Sequence, residues 1–202
     1  MKSILILAGP QGSGNHLFSK IFGLHPEVFG WKSLIDSYWE THRSHEPFRE
    51  LWKNQDLISD FDWSVSEYFV TSVSLPFGLA RRNNLFMPDV NGFIKALKAK
   101  GFNVQLAVIG RDKNIIEKQE QRVRNEITLP LFLEQLKTFD SPCFLSQELL
   151  YLYKQDYLRS LNLGIPIAFD DERVNEILAN DANQKYIIQP PTQNLDRYIQ
   201  GL

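Results

Sequence analysis

Residues 9–16 read Gly9-Pro10-Gln11-Gly12-Ser13-Gly14-Asn15-His16. Three glycines so close together let a chain turn tightly and bring its backbone against a ligand without side-chain obstruction. The apolar run of residues 4–8 precedes them. Apolar residues at 17, 18, 21, 22 and 24 follow at helical spacing. The segment therefore predicts a strand, a glycine loop and a helix. Backbone N–H groups at the start of such a helix have no partner within it, and its dipole is positive there, so the two together attract a phosphate. A turn that merely reverses the chain is served by one glycine. Three of them after an apolar strand point to anion binding.

The spacing matches the phosphate-loop pattern G-x-x-x-x-G followed by two polar residues. Asn15 stands in the place of the usual Lys and His16 in that of the usual Ser or Thr. A bound triphosphate would lose its main point charge and Mg²⁺ would lose a ligand. This argues against an ordinary ATPase or GTPase, and no metal is expected. A small-molecule kinase with a degenerate loop ranks last for the same reason.

Other residues could complete such a site. Arg111-Asp112 directly follows the apolar run 103–109, so Arg111 can clamp a second phosphate as a planar fork. The competing role for Arg111 is a salt bridge with Asp112 or a helix carboxylate. Asp36 and Glu40 are four apart and share a helix face, where one could act as a base or both could simply face solvent. His16 either donates to a bridging oxygen or points to solvent. Lys32 reads first as a surface lysine. His42 and His45 read as turn residues, His25 before Pro26 as structural, and Arg81-Arg82 as a basic loop. Arg122 and Arg124 read as a solvated helix face. Trp31, Tyr38, Trp39 and Trp52 read as core.

The elements that must position these residues alternate between strand and helix. Strands are predicted at 4–8, 27–30, 68–73, 103–109 and 143–146. Helices are predicted after the glycine loop, over 32–58 with Pro47 in the first turn of a second helix there, and at 89–100, 114–125, 130–138, about 147–161 and from 170. This alternation predicts a three-layer α/β/α fold around a mainly parallel sheet of about five strands. Ligands of such sheets bind beyond the carboxyl ends of the strands. Segments 9–16, 74–78 and 110–114 all fall there.

Residues 5–18, from Leu5 to the Phe18 that follows the loop, together with Leu24-His25-Pro26-Glu27-Val28, resemble the opening of a sulfotransferase. That family shows a strand, a loop ending in Ser-Gly-Thr-Thr, a helix and a His-Pro-acidic-Val segment. Ser13-Gly14-Asn15-His16 stands in the Ser-Gly-Thr-Thr place. Leu106-Ala107-Val108-Ile109-Gly110-Arg111-Asp112 is similar to the family's strand ending in Arg-Asn/Asp. The resemblance implies a P-loop nucleoside triphosphate hydrolase-like fold over residues 1–202. It also implies 3′-phosphoadenosine 5′-phosphosulfate as sulfuryl donor, with a hydroxyl or amine of a small molecule or sugar as acceptor. Pro10, Gln11, Gly12, Ser13, Gly14, Asn15 and His16 would then hold the donor. Arg111 would hold its 3′-phosphate, assisted by Gln119, which takes the place of a family Ser and can still donate from its amide. His16 and Asp36 are the catalytic candidates.

Two weaker similarities follow. Phe144-Leu145-Ser146-Gln147-Glu148-Leu149-Leu150 resembles a segment written Tyr-Glu-Asp-Leu, and Asn183-Gln184-Lys185-Tyr186 a late Asn-x-Lys-Tyr. The chain departs from the family where the loop Lys or Arg falls at Gly12, where both loop hydroxyls are absent, and where a third-strand catalytic His falls near Ser74. A non-catalytic nucleotide-binding relative is the alternative these departures leave open.

Composition bounds the rest. The chain has 202 residues, 43% of them hydrophobic and 23% charged, which suits one globular domain. A net charge of −2 argues against a domain that holds nucleic acid by broad positive charge. Cys143 has no second cysteine to pair with, which fits a reducing, cytoplasmic setting, and its apolar neighbours predict a buried structural thiol. The first apolar run is too short for a signal peptide or a membrane span, so no membrane partner is expected.

Overall fold

The computed structural model describes residues 1–30, 48–78, 85–179, 181 and 183. Lys32, Asp36, Glu40, His42, His45, Pro47, Arg81, Arg82, Trp31, Tyr38 and Trp39 lie outside the described residues.

Five strands form one all-parallel sheet: β1 (Ser3–Gly9), β2 (Val28–Phe29), β3 (Tyr68–Ser74), and, beyond a short hairpin, two more. The hairpin pairs β4 (Phe77–Gly78) with β5 (Leu85–Phe86) antiparallel, outside the main sheet. The remaining main-sheet strands are β6 (Asn103–Gly110) and β7 (Cys143–Ser146). The order across the sheet is β2-β3-β1-β6-β7. β1 is thus central, with both faces and both edges covered. A continuous apolar run with no polar alternation is what such a position demands.

Side chains alternate across β1. Ile4, Ile6 and Ala8 pack into one core, and Leu5 and Leu7 into the other. The first core takes in α2 (Arg49–Lys53), α3 (Val90–Ala99), α4 (Lys113–Arg124) and α5 (Leu129–Leu136), through Trp52, Phe93, Leu97, Ile116 and Phe132. The second takes in α1 (Asn15–Phe22), α6 (Gln147–Ser160) and α7 (Glu172–Ala179), through Phe18, Ile21, Phe22, Leu150 and Val174. Two helical layers thus sandwich the sheet, and the three-layer α/β/α architecture is the one the alternation predicts. Trp52 lies in the core, as expected. It stacks on Phe93 with ring centroids 3.9 Å apart and donates from Nε1 to Thr71 Oγ1 at 2.9 Å.

The ends of these elements follow local chemistry. Asp89 caps α3 by accepting from the Gly92 N–H, and Asp112 caps α4 by accepting from Asn114 and Ile115. Ser146 caps α6 by accepting from the Leu149 N–H. Gly101 has φ +85 and stops α3 in the left-handed conformation glycine favours. Among the described residues, no helix is long and apolar enough to cross a membrane.

Candidate functional site

Sheet register brings the expected segments to one edge. Gly9 pairs with Ser74, Ala8 with Val108, and Gly110 with Ser146. The carboxyl ends of β1, β3, β6 and β7 therefore lie side by side. The chain leaves β1 towards β2 and β3 on one side, whereas β6 and β7 lie on the other, so the sheet's switch point is at β1. Crevices for ligands form outside the strand ends at such points.

The glycine loop lies over that point. Gly12 has φ +86 and Gly14, the residue preceding α1, has φ +111. Both conformations favour glycine. The loop is also packed. A Cβ at Gly12 would collide with Gln119 Cγ, and one at Gly14 would lie 2.9 Å from Gln147 Oε1. Gly14, in the N-cap place of α1, supplies no side-chain cap. The first-turn N–H groups of α1 are the ones an anion would use.

Asn15, in the lysine place, points inward. It is 6% exposed, and its Nδ2 donates to Gly9 O at 3.3 Å, Val73 O at 3.2 Å and Ser74 Oγ at 3.3 Å. Ser13 is fully buried and donates from Oγ to Asn15 Oδ1 at 3.2 Å. Asn15 therefore ties the loop to the ends of β1 and β3. Its short amide satisfies carbonyls there and carries no charge outward.

Arg111 follows β6 and turns towards the loop. Its Nη1 donates to Gly12 O at 2.6 Å, and its Nε and Nη2 donate to Asn183 Oδ1 at 2.9 and 2.6 Å. Asp112 caps α4, so the guanidinium is directed at the loop and at Asn183. Gln119 lies against Gly12 and accepts from Arg122 at 3.1 Å. Pro10 and Gln11 form the loop's outer turn, where Pro10 O accepts from the Ser13 N–H at 3.1 Å. His16 is the second residue of α1 and is half-buried. The structure thus brings Pro10 to His16, Arg111 and Gln119 together, while Asp36 lies outside the described residues.

One expectation is corrected on α4. Arg122 is exposed, but Arg124 is half-buried and does not belong to a solvated face. Arg124 Nη2 donates to Gln11 Oε1 at 3.0 Å and to Pro76 O at 2.7 Å, and Nη1 donates to Thr128 Oγ1 at 2.9 Å. Burial lowers its pKa from the ordinary value, while Glu120 and Glu126 act in the opposite sense. Glu120, one turn earlier, is fully buried. It accepts from Thr128 N at 2.7 Å, Thr128 Oγ1 at 2.6 Å and Leu129 N at 2.9 Å, which satisfies the start of α5. The run Glu-Lys-Gln-Glu-Gln-Arg-Val-Arg reads as exposed because it is almost wholly polar. The available signal was the i, i+4 spacing of Glu120 and Arg124 on one helix face.

Cys143 is not the buried thiol its apolar neighbours predict. It is half-exposed at the sheet edge, where its Sγ accepts from Gln105 Nε2 at 3.7 Å. Burial still pushes its thiol pKa up. An exposed or electropositive setting would activate a thiol, and this one does the opposite. Among the described residues, no group of three or more His, Cys, Asp or Glu could hold a metal ion.

No protein-family model matches the chain, and no curated protein matches it either.

Proposed function

We propose that the chain binds a nucleotide carrying two separate phosphates at the glycine loop. In its fullest form the reading is a sulfotransferase-like activity. A sulfuryl group would pass from 3′-phosphoadenosine 5′-phosphosulfate to a hydroxyl or amine of a small molecule or sugar. The observation that carries the reading is the 2.6 Å contact of Arg111 Nη1 with Gly12 O, which brings a guanidinium beside the loop that leads into α1.

Each end of the donor has a matching group. N–H groups of residues 12–16 suit the 5′-phosphate. The Arg111 fork suits the 3′-phosphate, with Asn183 Oδ1 giving way to it. Gln119 presents its side chain beside Gly12. His16, at the helix start, is the imidazole available to the bridging oxygen, and Asp36 is the candidate base for the acceptor. A reducing, cytoplasmic setting accords with the single cysteine.

A second reading rests on Asn15. Its inward bonds put no cation in the lysine place, which favours a nucleotide-binding relative without transfer. Turnover of labelled phosphosulfate against a broad acceptor panel separates the two. Sulfated product establishes the enzyme. Bisphosphate binding without product establishes the binding protein.

A further inference from the structure

The transferred group needs a positive neighbour, and the loop itself offers none. We propose that Arg124 is that neighbour: a binding and specificity residue facing the sulfuryl group, on the flank of the glycine loop opposite Arg111. The inference rests on the donor site proposed above.

Arg124 bonds Gln11, which follows β1, and Pro76, which follows β3. Arg111 lies at the end of β6 and bonds Gly12 and Asn183. Because the sheet order is β3-β1-β6, the two guanidiniums reach the loop from opposite sides. A ligand with anionic groups at two separated points matches that arrangement. If Arg111 takes the 3′-phosphate, the other flank is left for the phosphosulfate end.

The partners of Arg124 are an amide oxygen, a peptide oxygen and a hydroxyl, all neutral. The buried carboxylate of Glu120 is engaged by Thr128 and Leu129 instead. The guanidinium is therefore oriented and partly desolvated, with no direct carboxylate partner among the described residues. Gln11 Oε1 is an acceptor that a sulfuryl oxygen can replace, since both take the same N–H donor. Glu120 anchors the far end of α4 and so fixes where Arg124 is presented.

The chemistry needs this placement. The bond between sulfur and the bridging phosphate oxygen breaks, and the bisphosphate leaves with the electron pair. Sulfur bonds to the acceptor oxygen or nitrogen, whose proton passes to a base. Negative charge grows on the bridging oxygen as that bond breaks, where an oriented guanidinium lowers the barrier.

The test compares two ligands by calorimetry: the phosphosulfate and adenosine 3′,5′-bisphosphate, which lacks the sulfuryl group. The variants are Arg124→Met, Arg124→Lys and the remote charge control Lys137→Met. Arg124→Met is expected to weaken phosphosulfate binding by about tenfold or more and to leave bisphosphate binding within about threefold. Arg124→Lys, which keeps the charge but loses the fork, should fall between, and it carries the test if Arg124→Met does not fold. Lys137→Met should match the wild type for both ligands. Equal losses for both ligands, or no loss for either, would overturn the role of Arg124 and leave the donor site standing. Failure of the wild-type protein to bind either ligand would overturn the donor site itself.

Discussion

Asn15 Nδ2 donates to the Val73 carbonyl at 3.2 Å, tying the residue in the lysine place of the loop to the end of β3. The same amide reaches Gly9 O and Ser74 Oγ. Asn15→Ala removes all three bonds and cuts the tie between the loop and the end of β3, although Gly9 O keeps its bond from the Leu75 N–H. The expected cost is about 2 kcal/mol, measured as a lower urea midpoint with an unchanged slope. A midpoint equal to that of the wild type would show that the amide does not hold the loop.

Glu120 gives a larger effect from a residue that itself contacts no ligand in this account. Its carboxylate accepts three hydrogen bonds at the start of α5. Glu120→Ala strands two backbone N–H groups and a hydroxyl, at an expected cost of about 3 kcal/mol. For a chain of this size that corresponds to a fall in Tm of about 6–12 °C in a thermal melt. A fall of a degree or less would contradict the buried network.

Gly14 and Gly101 form a matched pair. Both have positive φ, at +111 and +85, so an alanine at either is strained by about 1–2 kcal/mol. At Gly101 the added methyl meets nothing within 4 Å, whereas at Gly14 it lies 2.9 Å from Gln147 Oε1. Gly14→Ala should therefore destabilise the chain more than Gly101→Ala in parallel urea titrations. The reverse order would show that the loop is looser than its packing implies.

The alkaline limb of stability tests two groups on the β7–α6 edge. Burial raises the Cys143 thiol above its ordinary value of 9.0 and the Tyr157 hydroxyl above its ordinary value of 10.0. Each folded pKa then exceeds the unfolded one, so the unfolded chain loses its protons first. Their contribution is intact below the ordinary values and is lost as pH rises from each ordinary value through the raised folded one. Urea midpoints measured from pH 8 to 11 should fall over that interval. In Cys143→Ala the first part of the fall should disappear.

Much of the frame was legible from residue types alone. β1, the glycine loop and α1 follow from an apolar run, three glycines and a helical stripe. β7 falls at residues 143–146 as expected, and β3, α3, β6, α4 and α5 fall within two residues of their expected ends. These elements bury one face or two, and burial is what apolar spacing records. The β4–β5 hairpin was missed because each strand has only two residues and shows no period. The Glu120–Arg124 pair was missed for the opposite reason. It is a polar pair turned inward, and hydropathy cannot distinguish a buried polar network from a wet helix face. Arg111 was placed correctly beside the loop from its position after a strand, but its contact with Asn183 joins residues 72 apart and has no local signal.

The most direct test is calorimetric titration of the whole chain with adenosine 3′,5′-bisphosphate, repeated on Arg111→Ala. Binding in the micromolar range, weakened by about tenfold or more in the variant, is the result expected of a guanidinium that grips one phosphate beside the start of α1. Absence of heat at millimolar ligand, or equal affinity in both proteins, would contradict it.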